Sequence, residues 1–256
     1  MYIDSHCHIN FPDLADKLPE VFDLMAHNQV SHALCISVEL EKFPEVLALA
    51  EAHPNIYASV GVHPDHENCT EPTVAELVAL ADHPKVVAIG ETGLDYFRLT
   101  GDLEWQRERF RTHIRAARAT HKPLVIHTRS AAEDTLRIMR EEKAGEAGGV
   151  MHCFTESLAV AEAAIEQGFY ISFSGIVTFK NATTLREVAA AIPLERMLIE
   201  TDSPYLAPVP YRGKTNQPGF VRYVAEEIAR VRGISVEAVG EATTQNFFRL
   251  FAAAAH

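Results

Sequence analysis

Two histidines, His6 and His8, stand one residue apart in the segment YIDSHCHIN at residues 2–10. The segment resembles a strand, in which alternate residues point to the same face, so Asp4, His6 and His8 share one side and Cys7 lies on the other. Two imidazoles on one face of a strand end can bind a divalent metal ion. The pair alone is a weak motif, and the remaining ligands must come from other parts of the chain.

Polar side chains also end several other strand-like runs. A buried parallel strand should be apolar throughout, yet these runs finish in His63, Glu91, His127, His152 and Asp202. Histidine with carboxylate is a ligand set for zinc, manganese, iron and similar divalent ions. Together with His6 and His8, and without His63, these residues number six, which exceeds the three or four ligands of one catalytic site. The set therefore favours two ions that share a bridging ligand.

A scaffold must bring these strand ends together. Eight apolar, β-branched runs alternate with amphipathic stretches along the chain. The runs end near residues 8, 37, 63, 91, 127, 152, 174 and 202, at intervals that suit successive βα units with right-handed crossovers. The pattern predicts an α/β fold, a (β/α)₈ or TIM barrel, in which the strand ends meet at one rim.

Amphipathic stretches between the runs predict the helices of an outer layer. In residues 104–121, Phe110, Ile114 and Ala117 recur at helical spacing, with arginines on the opposite face. Residues 235–252 predict an extra C-terminal helix. No linker divides the chain, so residues 1–256 are predicted to form one barrel domain. The other predicted helices cover residues 13–28, 41–53, 73–82, 131–144, 157–167, 181–191 and 219–232.

The composition narrows the class of protein. A chain of 256 residues with 47% hydrophobic and 23% charged residues is ordinary for a globular protein and long enough for one barrel of about 250 residues. No run reaches the roughly 20 apolar residues of a membrane helix, and the opening of the chain does not resemble a signal peptide. The net charge of −12 argues against a broad basic surface for nucleic acid, although bound metal ions would reverse the charge inside a pocket.

The cysteines and the other histidines are predicted to be structural. The four cysteines show no paired spacing, which favours the reducing cytoplasm. Alternation within VMHCF directs His152 inward, so Cys153, like Cys7, is expected to be a small buried residue behind the barrel wall. The remaining histidines before the last are expected at the surface: His27, His32, His53, His66, His83, His113 and His121.

Long motifs in order along the whole chain resemble the TatD family of metal-dependent hydrolases, whose members are deoxyribonucleases within the amidohydrolase-like barrels. The motifs are DSHCHIN, VGVHP, IGETGLDYF, QRERFRTHIRAARATHKPLVIHTR, HCFT, SFSGIVTFKNA, LIETDSPYLAPVPYRGKTNQP and TTQNFFRLF. The resemblance implies a barrel of the amidohydrolase-like type with two divalent ions, for which Mg, Mn and Zn are the candidates. One ion would be surrounded by His6, His8, Glu91 and Asp202. The second would be held by Glu91, His127 and His152, with Glu91 as the bridge.

Further residues are expected to contact the substrate. By resemblance, His63 and Glu200 would contact the metal ligands or the substrate, and Asp95 and Tyr96 would line the rim. Arg129, two residues after His127, could clamp a phosphate. Arg212 and Lys214 lie on the loop after the eighth strand, a common phosphate site in barrels. The family usually has Glu where this chain has Gln217.

The resemblance implies that DNA is hydrolysed from a 3′ end that enters the barrel mouth as a single strand. A metal-activated water would attack the phosphodiester, with Asp202 placed to orient or deprotonate it. Aromatic residues at the rim, such as Phe97 or Tyr205, would stack on the bases. The sequence predicts no membrane partner and no obligate protein partner.

Two other functions are compatible with the same residues. The same metals could act on a carbonyl in an amidase, lactonase or esterase, including an aminoacyl-tRNA deacylase. Arg129, Arg212 and Lys214 favour the phosphodiester, since a small neutral amide would not need them. A non-catalytic metal-binding scaffold would close the coordination sphere, whereas an open barrel mouth leaves room for water.

Overall fold

Eight parallel strands form a barrel within residues 1–255, the part of the chain that the computed structural model describes. Each strand pairs in parallel with the next one along the chain, so the order is β1 to β8. This arrangement confirms the predicted α/β barrel. The strands are β1 (Tyr2–Cys7), β2 (Val30–Cys35), β3 (Ile56–Val60), β4 (Val86–Asp95), β5 (Leu124–Arg129), β6 (Gly149–Met151), β7 (Tyr170–Phe173) and β8 (Met197–Ile199).

Helices connect the strands and cover the outside of the barrel. They are α1 (Pro12–Ala15), α2 (Leu18–His27), α3 (Phe43–Ala52), α4 (Val74–Ala81), α5 (Glu104–Thr120), α6 (Ala132–Glu141), α7 (Leu158–Glu166), α8 (Thr183–Ala191), α9 (Val221–Arg232) and α10 (Val236–Leu250). The predicted helix 13–28 is divided into α1 and α2, and Pro19 lies in the first turn of α2, where its missing N–H costs no hydrogen bond. Among residues 1–255, no helix has the length and apolar character needed to cross a membrane.

The barrel closes between β1 and the segment that follows β8. Cys7 and Ser203 form an isolated parallel bridge. The Asp202 N–H donates to the His6 carbonyl at 2.9 Å, and the His8 N–H donates to the Ser203 carbonyl at 2.8 Å. The buried Asp4 carboxylate also accepts the Thr201 N–H at 2.8 Å. These bonds place Asp202 directly beside the two histidines of β1.

The end of the barrel opposite the strand carboxyl ends is filled by the predicted C-terminal helix. Alternate strand residues such as Ile3 and Leu198 point into the barrel. They pack there against Phe247 of α10 and against Phe251, which directly follows α10. The Tyr57 hydroxyl donates to the Ala254 carbonyl at 2.7 Å. The helices pack on the outer face of the sheet in a second, larger apolar cluster. The barrel interior is thus apolar at the end that α10 covers, and polar residues line it at the carboxyl ends of the strands.

Candidate metal centre

Polar side chains from six strands meet in one cavity of about 610 Å³ at the carboxyl ends of the barrel. Six of them line its surface: His8, His63, Glu91, His127, His152 and Asp202. His6 lies just beneath them and is fully buried. The structure therefore brings together all six residues that the sequence analysis expected around the two ions, and it places His63 beside them.

One group of donor atoms surrounds Glu91 Oε2. The Nε2 atom of His6 lies 3.2 Å from this oxygen and that of His8 lies 4.0 Å away. Asp202 Oδ1 is 3.6 Å from His6 Nε2 and 3.4 Å from His8 Nε2, and the two Nε2 atoms are 3.3 Å apart. Each of the two histidine Nε2 atoms thus lies within 4.0 Å of both carboxylates, an arrangement that suits the ligands of a metal ion.

A second group surrounds Glu91 Oε1. His152 Nε2 lies 2.8 Å from this oxygen, and His127 Nδ1 and His63 Nε2 each lie 3.3 Å from it. His152 Nε2 is buried and forms no hydrogen bond with any described residue, despite its short distance to the carboxylate. An unpaired nitrogen that faces an oxygen is costly unless a cation lies between them. The donor set therefore fits a divalent ion on this side of Glu91 too.

Carboxylates behind the site fix the rings of His127 and His152. The Nε2 atom of His127 is 3.0 Å from Asp95 Oδ2, and the Nδ1 atom of His152 is 3.2 Å from Glu200 Oε1. When a ring donates its N–H to such a carboxylate, the other nitrogen presents its lone pair to the cavity. Glu200 is completely buried, so it orients a histidine and does not reach a substrate.

The charge of the central carboxylates follows from their surroundings. Burial raises the pKa of Glu91, but His152, His63 and His6 outweigh burial and hold this pKa well below its usual range. Burial also raises the pKa of Asp202, and the neighbouring His8 and His6 lower it further than burial raises it. Both carboxylates are therefore anionic at neutral pH and suited to a cation.

The structure adds a short network that the sequence analysis missed, behind His63. Asp65 Oδ1 contacts His63 Nδ1, and Arg98 donates to Asp65 Oδ2 at 2.9 Å. Burial lowers the pKa of His63, but Glu91 and Asp65 reverse this effect and raise it to about 9. The spacing of HPD at residues 63–65 was the available signal, since residues two apart can pair across a turn.

One face of α5 also supports the site, and it contradicts one sequence prediction. His113, expected at the surface, is fully buried and accepts the Val62 N–H at Nε2 with a distance of 3.0 Å. Gln106 accepts the Asp95 N–H at 2.9 Å and donates to the Pro64 carbonyl at 3.0 Å. Arg109 donates to the His63 carbonyl at 2.9 Å. The prediction for His113 was wrong because the buried Val62 N–H after β3 needs an acceptor, and α5 supplies one.

Cys153 also departs from its predicted position. β6 ends at Met151, so strand alternation no longer applies, and Cys153 takes a left-handed conformation with φ of 43°. It lines the cavity, and its N–H donates to Glu200 Oε1 at 2.8 Å. Cys7 is fully buried in the outer apolar cluster, as predicted.

The predicted substrate contacts are divided between the cavity and its surroundings. Asp95 and Arg129 line the cavity. Tyr96 is directed away from it and donates to Asp134 of α6 at 2.7 Å. Arg212 donates to the Ala207 carbonyl at 2.8 Å and packs on the Phe179 ring, and Lys214 is exposed beside Tyr211; neither lines the cavity.

Comparison with known proteins identifies the family of the chain. A family model described as TatD related DNase matches residues 3–252. The chain belongs to the TatD family. Among its TatD-family relatives, the metal-dependent hydrolase YcfH of Escherichia coli K12 is 47% identical over 97% of this chain and 95% of its own length. YabD of Bacillus subtilis, another metal-dependent hydrolase, is 41% identical over 98% of this chain and 99% of its own.

Solved structures give the same result for the fold. The TatD homologue YjjV from E. coli K12 superimposes with a TM-score of 0.91, at 30% identity and 98% coverage of both chains. A mutant of an organophosphorus hydrolase from Deinococcus radiodurans shares the fold, with a TM-score of 0.66 at 16% identity, and the match covers 98% of this chain and 92% of that chain. As a TatD-family member with these ligand groups, the protein is a metal-dependent hydrolase.

Proposed function

We propose that the protein hydrolyses phosphodiester bonds of DNA in the cytoplasm, with two divalent ions and as a single barrel domain. The substrate would be a single-stranded 3′ end. The Arg129 guanidinium at the cavity, unpaired among residues 1–255, supports a phosphodiester as the bond that is hydrolysed. The preference for a 3′ end rests on the resemblance to TatD deoxyribonucleases. The description of the matching family model supports DNA as the substrate.

The observation that carries this proposal is the position of Arg129. Its guanidinium lies at the edge of the cavity, 3.8 Å above the ring of Phe97. The neighbouring Arg98 is paired with Asp65, whereas no carboxylate within residues 1–255 pairs with Arg129. In a protein with a net charge of −12, an unpaired guanidinium beside a group of metal ligands indicates an anionic substrate. A neutral amide or lactone would leave this charge without a partner.

Two exposed aromatic rings support an unpaired strand as the substrate. Phe97 follows β4 and is 62% exposed, and Tyr205 follows β8 and is 55% exposed. Because the strands follow one another around the barrel in chain order, β4 and β8 lie on opposite sides of it. Tyr205 meets Phe11 edge-on, and Phe11 stacks on His8. Exposed rings of this kind stack with bases that are not paired in a duplex.

The residues that would hold the metal ions are those grouped around the two oxygens of Glu91. His6, His8 and Asp202 would hold one ion, and His127 and His152 the other, with Glu91 shared. Bound divalent ions supply positive charge that favours ionisation of water and neutralises the phosphate oxygens. Arg129 would bind a phosphate oxygen of the entering strand and orient the phosphorus. Asp202 would accept the proton of the attacking water.

A substrate panel tests the proposal. Single-stranded DNA with a free 3′ end, the same strand with a blocked 3′ end, duplex DNA, RNA, phosphomonoesters, lactones and aminoacyl esters are each incubated with and without chelator. We expect shortening of the free single strand, little action on the blocked strand, and loss of activity with chelator. Hydrolysis of lactones or aminoacyl esters with DNA untouched would identify a carbonyl hydrolase. Tight metal binding with no turnover at all would identify a scaffold.

A further inference from the structure

We propose that His63 is a ligand of the second metal ion, in addition to Glu91, His127 and His152. The proposal rests on the two-ion centre proposed above. His63 follows β3, a strand that contributes no ligand in the arrangement implied by the family resemblance. The geometry around Glu91 Oε1 points to this role.

The distances place His63 in the same relation to Glu91 as His127. His63 Nε2 and His127 Nδ1 each lie 3.3 Å from Glu91 Oε1, and the two rings meet at 65° with centroids 4.6 Å apart. The three donor atoms all lie within 4.8 Å of one another. Ligand bonds of about 2.0–2.1 Å in tetrahedral geometry place ligand atoms roughly 3.3–3.4 Å apart. The observed separations from Glu91 match this value.

The outer partner of His63 follows the pattern of the other ligands. Asp65 contacts His63 Nδ1, as Asp95 contacts His127 and Glu200 contacts His152. Each of these carboxylates lies on the ring nitrogen that is turned away from Glu91. Carboxylates in this position are typical of metal-binding histidines, because they fix the tautomer and increase the basicity of the ligand.

The backbone of His63 is held from two sides. Its N–H donates to the Val38 carbonyl at 2.8 Å, and its carbonyl accepts from Arg109 of α5 at 2.9 Å. The side chain is only 15% exposed. The approach of His63 to Glu91 therefore belongs to the folded framework and does not depend on a mobile surface loop.

His66 provides a matched control on the same loop. It lines the same cavity, but its possible ligand partners are Glu39 and Glu41 and not Glu91, and its Nε2 atom lies 3.2 Å from Glu39 Oε2. If His63 contacted only the substrate, then replacing it, like replacing His66, would not affect binding of the two ions. If His63 is a ligand, then its replacement weakens metal binding and replacement of His66 does not, which a metal titration without substrate can measure.

The test is a Co²⁺ titration of the metal-free protein, followed by calorimetry and by visible absorption, for the wild type, His63→Ala and His66→Ala. We expect two ions in the wild type and in His66→Ala. In His63→Ala the first ion should bind normally and the second at least about tenfold more weakly, with an altered absorption spectrum of that site. Elemental analysis after dialysis should show the same difference.

Asp65→Asn is a second variant that preserves the size of the side chain. It should weaken the second ion by about tenfold, because the ring of His63 loses its anionic partner, and it decides the matter if His63→Ala fails to fold. Two ions bound with wild-type affinity in the folded His63→Ala or in Asp65→Asn would overturn the proposal. A single ion in the wild type would instead contradict the two-ion centre itself. Neither outcome depends on whether DNA is the substrate.

Discussion

Glu91 is the residue that both groups of donor atoms share. Its Oε1 atom faces His152, His127 and His63, and its Oε2 atom faces His6 and His8. The side chain comes from the middle of β4, the longest strand, where all ten residues are buried. A carboxylate in this position can neutralise positive charge on two sides at once.

Replacing Glu91 should therefore affect metal binding differently from replacing a histidine. Glu91→Ala is expected to lose both ions, whereas His152→Ala should weaken mainly one, because only Glu91 touches both groups. Elemental analysis of the two purified variants measures the difference. Equal metal loss in the two would contradict the bridging role of Glu91.

Asp202 should affect turnover more than substrate binding. Asp202→Asn nearly preserves the shape of the side chain, but the amide cannot accept a proton from water. With saturating metal we expect kcat to fall by more than about tenfold while KM changes little, which is the sign of an interaction made in the chemical step. Steady-state kinetics on an oligonucleotide provides the measurement, and a kcat within tenfold of the wild type would exclude Asp202 as the base.

At the scale of the elements, α5 fixes the position of the segment after β3 and of the end of β4. Gln106, Arg109 and His113 recur at helical spacing and direct polar atoms to the ends of both strands. Phe110 and Ile114 on the same side of the helix are fully buried. The helix thus provides apolar packing and fixed hydrogen bonds from one face.

The buried His113 should make stability depend on pH. Burial lowers its pKa to about 4 in the folded protein, against about 6.5 when unfolded. Below pH 6.5 the unfolded chain binds a proton that the folded protein does not, so stability should fall as the pH drops from 6.5 to 4, by up to about 3 kcal/mol. Above pH 6.5 the contribution is complete.

Urea unfolding at several pH values checks this expectation. In His113→Gln, which keeps an acceptor but cannot titrate, the free energy of unfolding should change less with pH between 6.5 and 4 than in the wild type. The exposed His27→Gln serves as the control and should behave like the wild type. A slope that is identical in the wild type and His113→Gln would show that His113 is not the group responsible.

The sequence predicted the strands and the grouping of polar residues at their ends because both depend on local patterns. Apolar runs that end in a polar residue identify strand ends, and the barrel brings those ends together. The face of α5 was missed because a polar residue among apolar ones, such as His113, does not reveal which backbone group it meets. Cys153 was misplaced because alternation holds only while a strand continues, and β6 ends two residues earlier.

The loop after β8 was the least predictable part. The positions of Arg212 and Lys214 relative to the cavity depend on the path of a long irregular segment, and no periodicity specifies such a path. The segment folds back so that the Asn216 amide donates to the Thr201 and Tyr205 carbonyls, while Arg212 and Lys214 lie outside the cavity lining.

At the scale of the whole molecule, the charge is strongly unfavourable for a nucleic acid. With a net charge of −12, the protein repels a polyanion everywhere except near a bound cation or a free basic residue. Binding of DNA, the proposed substrate, should therefore depend on a few contacts and not on a broad surface. This distinguishes the protein from nucleic-acid-binding proteins with basic surfaces.

The salt dependence of oligonucleotide binding tests this view. The slope of log K against log salt should be shallow in the wild type, and Arg129→Gln should make it shallower by about 0.7, the value for one phosphate contact on a single strand. Lys214→Ala, which changes a cation outside the cavity, should leave the slope unchanged. If Lys214→Ala changes the slope more than Arg129→Gln does, then the DNA strand follows the loop after β8 and not the rim at β5.

The closure of the barrel between β1 and the segment after β8 also determines when the site is completed during protein synthesis. His6 and Asp202 are 196 residues apart in the chain but adjacent in the fold. At about 5–20 residues per second, the ribosome needs roughly 10–40 s to add Asp202 after His6. The last residue of the second donor group, His152, is made 50 residues earlier than Asp202. The growing chain thus contains every other donor before it contains Asp202, the proposed base, and we expect no catalytic activity until the first and last strands meet.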